Sequence, residues 1–239
     1  MYGWRGRIGV VLPSRGDTFT YEFYKIVPEG VVLVTSCLHI YQLTKDQLQE
    51  AAKKYDQGAA DLAEVGVDII VLAGSPLFHL MGPGSDREII EKVQKMTGTK
   101  TTTGVTSEVN ALECLNIRKL VVATPWKDEL NQRCKTFLEA HNFTVLNIQG
   151  LGIQKNSEIA KVPLYAPYKL AKEIFLEHPN ADGIYIACPR WGTIGIIDTL
   201  EQDLKVPVIT NSQATCWNAL RGLNIGEPIR GYGTLLEHH

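Results

Sequence analysis

Asp68-Ile-Ile-Val-Leu-Ala-Gly-Ser75 matches Asp182-Gly-Ile-Tyr-Ile-Ala-Cys-Pro189 without a gap, at an offset of 114 residues (182 minus 68). Both octapeptides are apolar runs that end in small residues, as expected for strands buried on both faces of a parallel sheet. Arg7-Ile-Gly-Val-Val-Leu-Pro13 likewise resembles Lys119-Leu-Val-Val-Ala-Thr-Pro125 at an offset of 112 (119 minus 7). The same order of strands is therefore used twice.

A third repeat lies outside the strands. Asn110-Ala-Leu-Glu-Cys-Leu-Asn-Ile117 recurs as Asn218-Ala-Leu-Arg-Gly-Leu-Asn-Ile225, with six identities in eight positions. A period near 110 residues is longer than that of solenoid repeats, so it predicts two whole α/β units. We expect residues 1–112 plus 213–239 to form the first half and residues 113–212 the second; residues 236–239 resemble the start of an affinity tag and are left outside the argument.

Short apolar runs alternate with longer amphipathic stretches along the whole chain, which is the α/β pattern. The predicted strands are Arg7–Pro13, Gly30–Thr35, Asp68–Ala73, Lys119–Thr124, Gly183–Ala187 and Pro207–Thr210. The predicted helices are Thr44–Val65, Asp86–Met96, Lys127–Ala140, Leu164–Leu176 and Thr193–Leu204. We expect two pseudo-symmetric, doubly wound parallel-sheet halves whose strand ends face a shared cleft, where open α/β folds bind ligands. The alternative is a duplication whose cleft has no function.

The composition excludes several classes of protein. The chain has 239 residues, 44% hydrophobic and 21% charged, and a net charge of −2, which predicts a globular protein without a nucleic-acid partner. Neither a membrane-spanning run nor a leader pattern occurs, so we expect no membrane partner and a cytoplasmic location. The five cysteines are widely spaced, which indicates reduced thiols. A homo-oligomer is left open.

Metal and cofactor signatures are missing from the sequence. The histidines show no metal-binding spacing, and neither the dinucleotide-binding nor the P-loop glycine pattern follows a strand. The sequence therefore predicts no metal site and no cofactor.

Gly74 and Cys188 occupy equivalent positions in the two matched octapeptides, so one half offers a thiol where the other has no side chain. A thiol at a strand end can carry a proton if backbone N–H groups or a helix N-terminus lower its pKa, and a helix is predicted from Thr193. Cys188 is therefore the candidate acid/base residue. The alternative is packing as a small apolar residue, which is our interpretation of Cys37, Cys114, Cys134 and Cys216, although Cys37 and Cys216 could border the cleft.

Polar groups also follow the strands. Hydroxyl and N–H groups at Ser14 and Ser75 suit binding of a carboxylate, although serines are also ordinary N-caps. Arg190, two residues beyond the thiol, is either a bidentate carboxylate clamp or a solvated surface charge. Phe19 is interpreted as a core residue, with a place over the cleft as the alternative.

At these residues the sequence resembles the aspartate/glutamate racemase superfamily, in the branch of maleate cis-trans isomerases and arylmalonate decarboxylase. The resemblance rests on Ala73-Gly74-Ser75, on Ala123-Thr124-Pro125-Trp126 and on Ala187-Cys188. It implies two pseudo-symmetric α/β halves, no metal or organic cofactor, and a small carboxylate or dicarboxylate substrate.

The resemblance also implies one cysteine in place of two. Racemases and maleate isomerases of the superfamily use a cysteine from each half, whereas Gly74 here leaves only Cys188, as in arylmalonate decarboxylase. Decarboxylation of a substituted malonate-type acid, with Cys188 protonating an enediolate, is thus the leading hypothesis. Its rivals are isomerisation or racemisation of a small dicarboxylate, and a non-catalytic carboxylate-binding protein.

The sequence departs from the decarboxylase at Pro76, Trp126 and Pro189, where that enzyme has hydroxyl groups or a glycine. The two prolines supply no N–H, and Trp126 offers an indole N–H instead of a hydroxyl. We therefore expect the substrate carboxylate to be held by other hydrogen-bond donors, drawn from Ser14, Ser75 and Arg190. Gly74 and Trp126 are expected to lie beside it.

Overall fold

A computed structural model of the chain describes residues 2–14, 16–40, 44, 46, 50 and 54–239. Its strands are β1 (Gly6–Leu12), β2 (Val31–Cys37), β3 (Ile69–Leu72), β4 (Lys100–Thr103), β5 (Lys119–Thr124), β6 (Thr144–Gly150), β7 (Gly183–Ile186) and β8 (Val208–Thr210). Its helices are α1 (Asp17–Ile26), α2 (Tyr55–Glu64), α3 (Ser75–Met81), α4 (Ser85–Thr97), α5 (Gly104–Cys114), α6 (Asp128–Ala140), α7 (Asn156–Ile159), α8 (Tyr165–Glu177), α9 (Ile197–Leu204), α10 (Asn211–Gly222) and α11 (Thr234–His238), with a 3₁₀ turn at Ile194–Ile196 leading into α9.

The strands form two parallel sheets of four with the same topology, in the orders β2-β1-β3-β4 and β6-β5-β7-β8. The strand order reverses between β1 and β3, and again between β5 and β7, which are the points where doubly wound sheets open a crevice at their carboxyl ends. The central strands are continuous apolar runs because helices cover both of their faces. The predicted fold of two α/β halves is confirmed.

The repeat is visible in individual hydrogen bonds. The Asp68 carboxylate accepts the Arg7 N–H at 2.7 Å, and the Asp182 carboxylate accepts the Lys119 N–H, also at 2.7 Å. These pairs are equivalent in the two repeats found in the sequence. Each aspartate thus fixes the register between the two central strands of its sheet.

The two copies of the third repeat pack against each other. Helices α5 and α10 pack against each other, and α10 also contacts β3, β4 and β8. The Asn110 amide donates to the Asn218 side-chain oxygen at 3.1 Å, so the repeat-equivalent residues meet. The two helices α5 and α10 are therefore related to each other by the pseudo-two-fold symmetry of the repeat. The division of the chain at residues 112 and 212 stays a prediction.

The structure contains elements that the sequence did not predict, among them the helices α1, α3, α7 and α11. Strands β4 and β6 were not predicted, because neither is a continuous apolar run. The second half of the predicted helix Thr44–Val65 corresponds to α2 (Tyr55–Glu64). Part of its first half lies outside the described residues.

The chain end also differs from expectation. Leu236, set aside with the terminal residues, is fully buried, and its carbonyl accepts the Ile229 N–H at 2.8 Å. Excluding it from the fold was therefore wrong. Among the described residues, no helix has both the length and the apolar character that a bilayer crossing requires.

Candidate active site

A pocket opens where β1, β3, β5 and β7 end, at the two points where the strand order reverses. Its empty volume is about 510 Å³, including the part open to solvent. Five of the predicted site residues line it together: Ser14, Gly74, Trp126, Cys188 and Arg190. The other described lining residues are Leu12, Pro13, Gly16, Phe19, Pro76, Leu77, Asn156 and Pro189.

Cys188 has a backbone conformation that is unusual for a residue with a side chain. Its φ is 86°, in the left-handed region, and Gly74 has a φ of 117°. The equivalent residues of the two repeats thus share the same turn after their strands. A non-glycine residue with positive φ is strained, and such strain is concentrated at functional sites.

The position opposite the thiol is occupied. A Cβ atom added at Gly74 would lie 2.9 Å from Leu77 Cδ1 and 3.1 Å from the Tyr55 hydroxyl oxygen. Leu77 lines the pocket, and Tyr55 donates to the Ala73 carbonyl at 2.6 Å. A side chain at position 74 would therefore have to displace packed atoms.

Burial raises the pKa of the Cys188 thiol to about 12, because the charged form is poorly solvated. The N–H groups of Arg190 and Trp191 and the charge of Arg190 act in the opposite direction, with a smaller effect. Cys188 is therefore a protonated thiol at neutral pH, suited to donating a proton rather than attacking as a thiolate.

Of the two sources considered for lowering the thiol pKa, backbone N–H groups do so, at Arg190 and Trp191, whereas the helix start at Thr193 does not. The N–H groups of Thr193 and Ile194 already donate to the Glu22 carboxylate, at 2.5 and 3.0 Å. The start of that helix is thus satisfied by a buried side chain and is not free to stabilise a Cys188 thiolate.

A polar wall faces the pocket beside the thiol. The Ser14 hydroxyl oxygen accepts Asn156 Nδ2 at 3.1 Å and Arg190 Nη1 at 3.3 Å. Arg190 also donates to Asp17 Oδ1 at 2.7 Å and to the Asn156 carbonyl at 3.1 Å. Only 15% of the Arg190 side chain is exposed, so it is not the solvated surface charge of the alternative interpretation. With its oxygen already engaged, Ser14 can turn its own hydrogen toward a ligand.

Trp126 supplies a further donor. Its side chain is fully buried and lines the pocket, and its indole N–H has no hydrogen-bond partner among the described residues. Its side chain also lowers the pKa of Cys188 slightly, so the indole lies close to the thiol. A buried N–H without a partner is costly, which favours a ligand at this place.

Ser75 is not in the pocket wall, so the prediction that its hydroxyl contacts substrate is not supported. Its hydroxyl donates to Glu108 Oε1 at 2.8 Å and accepts Asn211 Nδ2 at 3.1 Å. Burial raises the pKa of Glu108 to about 7. Ser75 belongs to a buried network behind the turn at Gly74.

One polar pocket residue left no signal in the sequence. Asn156 follows β6 in a short helix without any motif, and its contact with Ser14 appears only in the folded chain. Phe19 is buried, as expected, but it also lines the pocket. Cys37 and Cys216 are not among the described lining residues.

Comparison with known proteins agrees with this geometry. The family model described as arylmalonate decarboxylase matches residues 8–236. The chain belongs to the arylmalonate decarboxylase family. Over 96% of both chains it is 26% identical to the arylmalonate decarboxylase of Bordetella bronchiseptica. It is 20% identical to the maleate isomerase of Nocardia farcinica, over 96% of this chain and 95% of the relative.

A solved structure shows the same architecture. The liganded form of an arylmalonate decarboxylase double mutant, in which a glycine is cysteine and a cysteine is serine, aligns with a TM-score of 0.93 at 25% identity. The alignment covers 98% of this chain and 100% of that one. The predicted branch is confirmed, and so is an enzyme of the decarboxylase or isomerase type.

Proposed function

We propose that this arylmalonate decarboxylase family member decarboxylates a substituted malonate-type acid without a cofactor. In this reaction the bond between the α-carbon and one carboxylate breaks, carbon dioxide leaves, and the electron pair forms an enediolate on the retained carboxylate. The Cys188 S–H then gives its proton to the α-carbon, and water returns a proton to the thiolate.

The observation that carries the proposal is the single protonated thiol. Cys188 lines the pocket with a pKa of about 12, and Leu77 and Tyr55 fill the space at Gly74. Cys188 is the one cysteine among the described residues that line the pocket, and it would supply the proton that the enediolate takes up.

The polar and apolar parts of the pocket suit the two carboxylates of such a substrate. Ser14, Arg190 and the free indole N–H of Trp126 would hold the retained carboxylate and the charge that grows on it. Leu12, Phe19 and Leu77 would surround the departing carboxylate with apolar groups, which favours its loss as neutral carbon dioxide.

Isomerisation of a small dicarboxylate is the second candidate. It is supported by the maleate isomerases that match this chain over nearly its full length. Addition of a thiolate to a double bond would need an ionised Cys188. The raised pKa of this thiol therefore favours the decarboxylase.

Phenylmalonate and maleate are the two probes that separate these functions. We expect carbon dioxide release from phenylmalonate, no fumarate from maleate, and loss of turnover in Cys188→Ala. Cys216→Ala is the matched control, because Cys216 is equally buried and does not line the pocket.

Fumarate formation with a mass adduct on Cys188 would assign the isomerase instead. Carboxylate binding without turnover on either probe would indicate a binding protein. Unchanged turnover in Cys188→Ala would remove the thiol from the mechanism.

A further inference from the structure

Glu22 is a buried carboxylate outside the pocket wall. It lies on α1, the helix that follows β1 along the chain, and it is only 3% exposed. Its carboxylate crosses to the second sheet, where Oε1 accepts the N–H groups of Thr193 and Ile194 at 2.5 and 3.0 Å. A buried carboxylate that receives two backbone donors is a strong link between elements.

The link fixes one end of a short loop. β7 ends at Ile186, and the segment from Cys188 to Thr193 connects it to the 3₁₀ turn that begins at Ile194. At its start, the Cys188 carbonyl accepts the Trp191 N–H at 3.2 Å. Because the far end of the loop is tied to α1, the strained conformation of Cys188 is held from both sides.

A second buried glutamate contacts the segment after Gly74, through side chains and not through backbone N–H groups. Glu108 accepts the Ser75 hydroxyl, one residue beyond Gly74, and the Asn211 side chain. Ser212, the neighbour of Asn211, lowers the pKa of Glu22, although burial has the larger and opposite effect. The first turn of α10 thus lies between the two carboxylates.

We propose that Glu22 is a positioning residue that holds the Cys188 loop against α1 and so fixes the direction of the thiol. The inference rests on the proposed function in that the pocket at Cys188 is the active site. Glu22 acts through its hydrogen bonds to the loop and does not touch the substrate.

The test compares Glu22→Ala and Glu22→Gln with Glu201→Ala. Glu201 is the matched control, because its carboxylate also accepts two backbone N–H groups, from Val208 and Thr234, both at 2.9 Å, at a place outside the pocket. Two quantities are measured on the full chain: kcat and KM with phenylmalonate, and the rate at which iodoacetamide modifies Cys188, followed by peptide mass spectrometry.

In Glu22→Ala we expect kcat to fall about 100-fold with KM changed by less than about threefold, since a misdirected donor slows the chemical step. Modification of Cys188 should become about tenfold faster as the loop opens. Glu22→Gln should restore most of the original kcat and of the original slow modification of Cys188, because its amide oxygen can accept the same two N–H groups. Glu201→Ala should lower the melting temperature without either effect.

If Glu22→Ala does not fold, Glu22→Asp replaces it, since the shorter side chain withdraws the acceptor while keeping the charge. Kinetics and modification rates like those of Glu201→Ala would overturn the proposal. The unmutated chain could also fail to turn over phenylmalonate while Glu22→Ala still shows faster modification of Cys188. That result would support the positioning role and refute the proposed function.

Discussion

At the scale of single residues, the protonation state of Cys188 decides which chemistry the pocket can perform. Burial holds its pKa at about 12, so the thiolate is scarce at neutral pH. We predict that the rate constant for iodoacetamide at Cys188 rises about tenfold per pH unit from pH 7 to 10. Mass spectrometry of the Cys188 peptide measures it.

The urea-unfolded chain is the control for this measurement, because there the same thiol should level off near pH 9, about its ordinary pKa. A plateau below pH 8 in the folded protein would mean that the thiol is acidic, and would favour the nucleophilic mechanism.

Gly74 is needed for two reasons, its positive φ and the side chains packed against it. We predict that Gly74→Ala lowers the free energy of unfolding by about 3 kcal/mol, measured by urea denaturation. Gly66→Ala is the matched control: Gly66 has a φ of 71°, and nothing lies within 4 Å of an added Cβ. It should cost about 1 kcal/mol. Equal losses of unfolding free energy in the two variants would show that Leu77 can move aside at little cost.

At the scale of elements, Glu108 joins α3, α5 and α10 through Ser75 and Asn211. Burial raises its pKa to about 7 from an ordinary 4.5, so the folded protein keeps a proton that the unfolded chain has already lost. Stability from this group is therefore complete below about pH 4.5, and roughly 3 kcal/mol is lost as the pH rises to about 7.

Glu108→Gln should remove this pH dependence, because glutamine does not ionise. Urea denaturation at pH 5 and pH 8 measures the difference for both proteins. The same loss of stability in Glu108→Gln would place the titrating group elsewhere.

Sequence reasoning missed the strands β4 and β6 for a common physical reason. β4 reads Lys-Thr-Thr-Thr and β6 contains Asn147 and Gln149, and each is the last strand of its sheet. Edge strands need no continuous apolar run, since they are not buried like central ones. The central strands, which are buried on both faces, were predicted closely.

At the scale of the whole molecule, Asn110 and Asn218 join the repeat-equivalent helices α5 and α10. Asn218 also donates to the hydroxyls of Thr102 and Ser107, at 3.0 and 3.1 Å. We predict that Asn218→Ala lowers the free energy of unfolding by about 3 kcal/mol and Asn110→Ala by about 1 kcal/mol, measured with urea. Equal effects would mean that the contacts with Thr102 and Ser107 contribute little.

The internal repeat made most of the site predictable, because it places Gly74 and Cys188 at equivalent strand ends. What could not be predicted depends on contacts between distant residues. Glu22 binds the chain 171 positions away at Thr193, and Asn156 reaches Ser14 across 142 positions. The use of Ser75 in a buried network, and the raised pKa of Cys188, follow from such packing and leave no local pattern.

The central claim is that one proton donor serves one face of the pocket. It is tested most directly by turning over 2-methyl-2-phenylmalonate in D₂O and analysing the product for deuterium and handedness. We predict one deuterium at the α-carbon and one enantiomer in excess, unchanged on prolonged incubation, because no second cysteine is among the described residues that line the pocket. A racemic product would contradict the account.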